Sequence, residues 1–557
     1  MNTKKCSLVF ILLGCLSFTS CCHAPTGLQP EAPEQEKTFP QTPYNSKPAT
    51  KKVKNVILVI GDGMGPQQLG LLLAYARQAP HSVIPNRTTA FDRMMNDGAE
   101  LGLSMTHAAN VLVTDSAASG SQLATGVASG PEMLGADADG NPTSTILEQA
   151  EKMGKSTGII SDTWLTHATP AAFAAHQPHR SLENAIAVDL LNSGADVMLS
   201  GGLSRWVPKA ANDADSAVHQ ELVQMTEGAF AIKSKRKDER NLLKEARKKG
   251  YTLSFTKDQL AEAKGKKVLG LFSSSAMDNA IKANKAKDDP ERAIPSLREM
   301  TAKGLELLAR NKKGFFLMVE AGQIDWAGHA NDTGLLLQEM IKLNNTLEYI
   351  LDWTAKRDDT LLIVTADHET GGFSFSYSGN DLPQPVNLSG SLFKNRSFQP
   401  GYNFGNPQVL DKLYKQQLSY KDIFLQFAAL PASEQKPAKL ASLVNKNTEF
   451  KITEAQAARV LESEENAYYV EGHKKLGLKK VPKIDANDAF FVTNSNGARL
   501  NLLAMEVATQ QQAVWSTGTH TATPVLVFAQ GAGKSAFRKI MHHTELSRYA
   551  INALMNN

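Results

Sequence analysis

Val56-Ile57-Leu58-Val59-Ile60-Gly61-Asp62 is the stretch on which the fold turns: five consecutive apolar residues, mostly β-branched, run into a glycine and a carboxylate. A strand with one wet face alternates apolar and polar residues. An uninterrupted run is buried on both faces, as in a parallel sheet covered by helices. Similar runs recur at 157–160, 196–199, 315–319, 361–365 and 524–528. Amphipathic stretches separate them, at 143–153 (closed by Gly154), 182–191, 297–309, 335–355 and 545–554. This alternation predicts an α/β fold with a central, mostly parallel sheet and helices on both faces.

Two segments break the rhythm. Residues 207–265 are rich in Lys, Glu and Ala and read as a solvated helical excursion. A longer one, about 376–494, mixes Pro, Asn and Gly with polar helices such as 454–464 and reads as an inserted cap folded over one edge of the sheet, because core strands resume after it. The 557 residues are 42% hydrophobic and 21% charged, which excludes disorder and coiled coil as the dominant character. Sixty Lys+Arg against 56 Asp+Glu leave a net charge of +4, too small to point to nucleic acid as a specific ligand.

The N-terminus has Lys4 and Lys5, an apolar run from Leu8 to Leu13, and then small residues, the pattern of a secretory signal over 1–22. All four cysteines, Cys6, Cys15, Cys21 and Cys22, lie in this segment, so the body has no thiol for disulfide, metal or catalysis. Cys21 and Cys15 each resemble the lipidated position of a bacterial lipoprotein signal. Cys21 is favoured by its longer preceding segment, and a plain signal with incidental cysteines is the alternative. Residues 23–52 carry six prolines among polar residues and read as an extended tether. The expectation is an exported protein, periplasmic or held at the outer membrane or cell surface through an N-terminal lipid.

The carboxylates fall in a pattern. Asp62 follows the first strand, Glu320 the strand 315–319, and Asp367-His368 the strand 361–365. In open α/β sheets ligands bind beyond the carboxyl ends of the strands. Several carboxylates converging there repel one another unless a cation is present. Asp325 and His329, four apart, share a face if helical, and His520 precedes the strand at 524. Mixed Asp/His ligation without Cys suits catalytic Zn²⁺. Ser116, in Thr114-Asp115-Ser116-Ala117-Ala118, falls at a predicted helix start. Such a start is a natural anion seat, or else only a routine N-cap.

Together these residues resemble the alkaline phosphatase family. The carriers are Gly61–Gly65, Thr114–Ala118, His167 through Thr169 to Arg180, Glu320 to His329, Thr365 to Gly372, and His520-Thr521, in order across 53–557. The resemblance implies the alkaline-phosphatase-like version of the predicted fold, with a catalytic domain over 53–557. It also implies two Zn²⁺, one on Asp325, His329 and His520 and the other on Asp62, Asp367 and His368, with a third metal, usually Mg²⁺, on Asp62, Thr169 and Glu320. Ser116 would then be a nucleophile that carries phosphate covalently, and Arg180 the guanidinium that grips two phosphate oxygens. Asp115, His167 and Trp326 would stand around this set. Some family members carry Asp and Lys where this chain has His167 and Trp326, which leaves the third metal's identity open. The implied substrates are small phosphate monoesters, and a homodimer is compatible with the resemblance.

Gly531-Ala532-Gly533-Lys534-Ser535 fails as a phosphate loop because Phe528 stands where its first glycine belongs. A sulfatase would need a Pro-Ser-Arg pattern after its nucleophile, absent after Ser116. A phosphodiesterase of the same superfamily and a non-catalytic surface metal-binding protein are the alternatives that stay open.

Overall fold

The computed structural model describes residues 52–485, 487–491 and 495–555, so the expected signal and all but the last residue of the tether lie outside the described residues. Ten strands form one sheet. They are β1 (Asn55–Gly61), β2 (Glu100–Met105), β3 (Ser156–Trp164), β4 (Val197–Gly201), β5 (Tyr251–Ser254), β6 (Lys267–Leu271), β7 (Phe315–Ala321), β8 (Thr360–Thr365), β9 (Val525–Gly531) and β10 (Ile540–His542). Their order is β10-β2-β9-β8-β1-β7-β3-β4-β6-β5. Only β9 runs antiparallel to its neighbours; the other pairings are parallel.

Successive β1 side chains enter two different cores. Ile57 and Val59 pack with Leu317, Val319 and Val364, whereas Val56, Leu58 and Ile60 pack with Phe316, Met318 and Ile363. That two-sided burial explains the uninterrupted apolar run, and each such side chain contributes roughly 1.5–3 kcal/mol on burial. The first core is closed by helices Pro66–Gln78, Leu297–Leu308 and Thr333–Thr354, the second by Ser116–Thr125, Ile146–Lys152 and His543–Met555. The helix expected from 143 starts at Ile146, because Thr145 and Glu148 make a capping box that ends the preceding chain.

Two expectations are corrected. Residues 207–265 are more than a helical excursion: β5 within them is an edge strand of the main sheet, paired with β6. Its mixed composition, with Thr252 in solvent and Ser254 buried, hides it from a search for continuous apolar runs. Part of the segment about 376–494 packs elsewhere than over a sheet edge. Its helices Gln408–Tyr414 and Tyr420–Ala428 pack on the face layer, with Leu413 and Ile423 in the first core and the Tyr414 ring 5.4 Å from that of Tyr75.

Candidate functional site

The carboxyl ends of β1, β3, β7 and β8 meet at one rim. Asp62 leaves β1, Glu320 ends β7, Asp367-His368 leave β8, and β3 leads to His167 and Thr169. Beyond β7 the helix Gln323–His329 puts Asp325 and His329 on one turn. The two-residue strand His520-Thr521 pairs with Glu369-Thr370 and so brings a residue distant in sequence against His368, ring centroids 3.6 Å apart. Gly63, at φ +74°, lets β1 turn here; a Cβ would lie 2.7 Å from the Asp325 backbone.

Three groups of ligand-type atoms result: Asp325 with His329 and His520, Asp62 with Asp367 and His368, and Asp62 with His167 and Glu320. The histidine tautomers follow from the hydrogen bonds. His520 Nδ1 faces the Thr114 carbonyl at 3.0 Å, and His329 Nδ1 faces that of Gly518 at 2.7 Å. A carbonyl only accepts, so both Nδ1 atoms carry the proton, and in the neutral, metal-binding form of each ring Nε2 is bare. Those bare nitrogens face each other at 3.1 Å, and Asp325 lies 3.3 Å from one and 3.5 Å from the other. Thr370 donates its hydroxyl proton to Asp325 at 2.6 Å and accepts from His368 Nδ1 at 3.2 Å. His368 Nε2 is then bare too, 3.2 Å from Asp367 and 3.5 Å from Asp62. Lone pairs aimed at lone pairs repel; a cation between them makes the arrangement favourable.

The electrostatics agree. Burial first, then Asp367, Asp325 and Glu320, push the Asp62 carboxyl well above the usual range. Burial also pushes Asp367 up to about 7, with Asp325 reinforcing it. Glu320 rises to about 8 through burial, opposed by the Ser161 hydroxyl and reinforced by Asp162. Burial lowers His520 to about 4 and His167 to about 3. It pulls His368 down as well, with His520 adding to it. Asp325 and His329 go the other way: burial opposes the ionisation of each, but their mutual attraction holds Asp325 well below and His329 above its ordinary value, an ion pair whose place a metal cation would take. Asp62 Oδ1, Glu320 Oε1, Asp367 Oδ2 and His167 Nδ1 are buried without a hydrogen-bond partner among the described residues. Such orphaned acceptors fit metal ions.

His167, expected only to stand around the ligands, offers its ring nitrogen to the third group, 3.9 Å from Glu320. Thr169 Oγ1 lies 3.4 Å from Asp62. Trp326 lies tilted against Trp164, ring centroids 5.4 Å apart, and meets the His167 ring edge-on at 5.8 Å.

Ser116 is the first residue of the helix Ser116–Thr125, and its Oγ lies 3.2 Å from His368 Nε2. Asp115 caps this helix by accepting from the Ala117 and Ala118 N–H groups. Two of the expected anion-binding donors are therefore occupied. Asp115 also accepts from Arg180 Nη1 at 2.8 Å, which aims the guanidinium at the same rim. Sequence reasoning missed Thr370, Ser161 and Thr163, whose hydroxyls orient Asp325, His368 and Glu320. Ser161 and Thr163 follow the apolar run 157–160, so the strand-end rule that found Asp62 would have found them too.

Clustered carboxylates, imidazoles and a helix-start serine at the strand ends of a mostly parallel sheet are the kind of centre a metal-dependent hydrolase uses. The alkaline phosphatase family model matches residues 53–555. Alkaline phosphatase 4 of Bacillus subtilis is 31% identical over 506 residues, covering 89% of this chain and 87% of that one. Among solved structures, Thermus thermophilus alkaline phosphatase matches at 25% identity and TM-score 0.69, covering 91% of this chain and 92% of its own. The cold-active enzyme of a psychrophilic Shewanella matches at 27% and 0.62, covering 90% and 99%. The chain belongs to the alkaline phosphatase family. Phosphomonoester hydrolysis is its general activity, and metal cofactors are part of it.

Proposed function

We propose that this chain hydrolyses small phosphate monoesters through phosphate carried transiently on Ser116. In this reading Zn²⁺ is held by Asp325, His329 and His520 and by Asp62, Asp367 and His368, and Mg²⁺ by Asp62, Glu320, Thr169 and His167. When bound, these metals neutralise charge developing on the oxygens around phosphorus and lower the pKa of coordinated oxygens. The carrying observation is the Ser116 Oγ placed 3.2 Å from the bare Nε2 of His368. A serine hydroxyl is a weak nucleophile at its own pKa and needs such a setting. Ser116 attacks phosphorus, the alcohol leaves, and water later releases phosphate from the serine. Asp115 orients Arg180 through Nη1 alone. Nε and Nη2 thus remain as a planar donor pair for two phosphate oxygens, among the described residues.

Turnover of phenyl phosphate against diphenyl phosphate, with and without chelator, tests the reading. A diester has one non-bridging oxygen replaced by an ester group, so it offers this fork less. Arg180→Ala should weaken monoester turnover roughly 100-fold more than diester turnover, and Arg180→Lys should rescue only partly. Equal loss on both esters would favour a phosphodiesterase. Export through residues 1–22, a tether over 23–52 and lipid on Cys21 belong to the same proposal. Cys21→Ser should release the enzyme from the membrane fraction and Cys15→Ser should not; the reverse would move the lipid to Cys15.

A further inference from the structure

A cavity of about 480 Å³ opens beside the rim, with His329 in its wall. That volume lies in the range of small-molecule pockets, roughly 300–1,000 Å³, which suits an organic group rather than phosphate alone. His329 is also the most open of the candidate ligands, its side chain 37% exposed. The cavity therefore meets the centre at the Asp325/His329/His520 group rather than at the buried one.

Its walls have a definite chemistry. Trp326 supplies an aromatic face held against Trp164 and His167. Leu425, from the inserted segment, adds apolar surface. The charges are unevenly placed. Lys282 is neutralised by Asp422 at 2.7 Å. Asp332 is buried beneath the cavity and accepts from the Tyr420 and Leu335 N–H groups and the Gln416 side chain. Lys421, 5.8 Å from the Trp326 ring, and Lys475 have no carboxylate partner among the described residues. Asp278 is the remaining lining carboxylate, and it sits exposed at the rim. The lining holds three lysines and three aspartates, so what distinguishes it is placement: Lys421 and Lys475 stand unpaired by carboxylate on the Trp326 side of the insertion, while Asp332 is buried under its hydrogen bonds and Asp278 stands in solvent.

We infer that this cavity receives the alcohol portion of the substrate, and that it favours phosphate monoesters whose alcohol is an apolar or aromatic frame carrying a second negative charge. The inference rests on the monoesterase reading and deepens it. Lys421 and Lys475 would hold the second anion, and Trp326 would stack on the frame. The inserted segment, which supplies both lysines and Leu425, would thus set substrate preference while the sheet rim carries out the chemistry. Each ammonium near the surface contributes modestly, about 2- to 5-fold, and is screened by salt.

The test compares 4-carboxyphenyl phosphate with 4-carbamoylphenyl phosphate, esters of nearly equal shape that differ in charge. For the intact enzyme at low ionic strength, kcat/KM should favour the carboxylate by about 5-fold or more. The ratio should fall toward one at high salt and in Lys421→Ala/Lys475→Ala, and invert in Lys421→Glu/Lys475→Glu. Calorimetric Kd values for 4-carboxybenzylphosphonate and its carbamoyl analogue should follow the same order. An intact-enzyme ratio near one, or an unchanged ratio in both double variants, overturns the inference and leaves the monoesterase reading standing. If neither ester is cleaved, that reading falls instead, and the phosphonate affinities still decide whether the pocket selects anions.

Discussion

Asp62, Glu320, Asp367 and His368 have no exposed surface, whereas Tyr377, Tyr402 and Phe404 of the inserted segment stand 56%, 51% and 67% exposed. The rim hangs from strands buried on both faces, so its side chains hold their positions against strong mutual repulsion. The insertion is built from short helices and two-residue strands such as Val386-Asn387 and Ser397-Phe398, and much of its apolar surface stays in water. Chemistry needs groups fixed to within a fraction of an ångström, which a close-packed sheet supplies. Recognition of a leaving group needs only a wall of suitable charge and shape. The two regions meet at Asp332, which caps the helix Thr333–Thr354 and accepts from Tyr420 at the start of an insertion helix.

The contrast can be broken at the rim first. Ser116→Ala should cut monoester turnover by roughly 10³-fold or more while metal content, measured on purified protein, stays the same. Turnover like the wild type would remove the covalent step.

Chelation should abolish turnover and expose the repulsion that the metals mask. In metal-free protein Glu320 titrates at about 8 instead of 4.5, and Asp367 at about 7 instead of 3.8. Between pH 7.5 and 9 the unfolded carboxylates and nearly all unfolded histidines have lost their protons, the depressed His520 and His167 are neutral in both states, and folded Glu320 still binds some. The folded state holds more protons in that window, so its stability must fall as pH rises. The urea midpoint of chelated protein should therefore drop from pH 7.5 to 9, and the metal-loaded protein should show no such drop. A rising midpoint for the chelated form would mean the carboxylates do not crowd as described.

A smaller effect is expected at the joint. Asp332→Ala strands the Tyr420 and Leu335 N–H groups and the Gln416 amide, and should cost about 2 kcal/mol of stability, read by chemical denaturation. Metal binding should be spared. At the far end of the insertion, Phe404→Ser should change stability by less than about 0.5 kcal/mol and leave turnover alone. A large loss there would show that the exposed aromatic cluster is covered in the working protein.

Much of this was legible in the residues. Runs such as 56–60 and 315–319 announce strands buried on both faces, since only that environment tolerates unbroken apolar sequence. Strand ends in turn locate Asp62, Glu320, Asp367 and His368, and the four-residue spacing of Asp325 and His329 places them on one helical turn. The half-exposed strand β2, next to the edge, and the edge strand β5 were not legible, because such strands mix polar with apolar residues and imitate loops. Nor could the residues alone place His520, brought to His368 by a two-residue pairing across some 150 positions. Whether His167 stands behind the metal ligands or among them is likewise a matter of ring direction, set by packing against Trp164 and Trp326. Local pattern determined which residues could form strands and where chemistry would gather. Tertiary structure alone decided which lone pairs face one another and what lines the cavity beside them, because those depend on contacts between segments far apart in the chain, which periodicity does not encode.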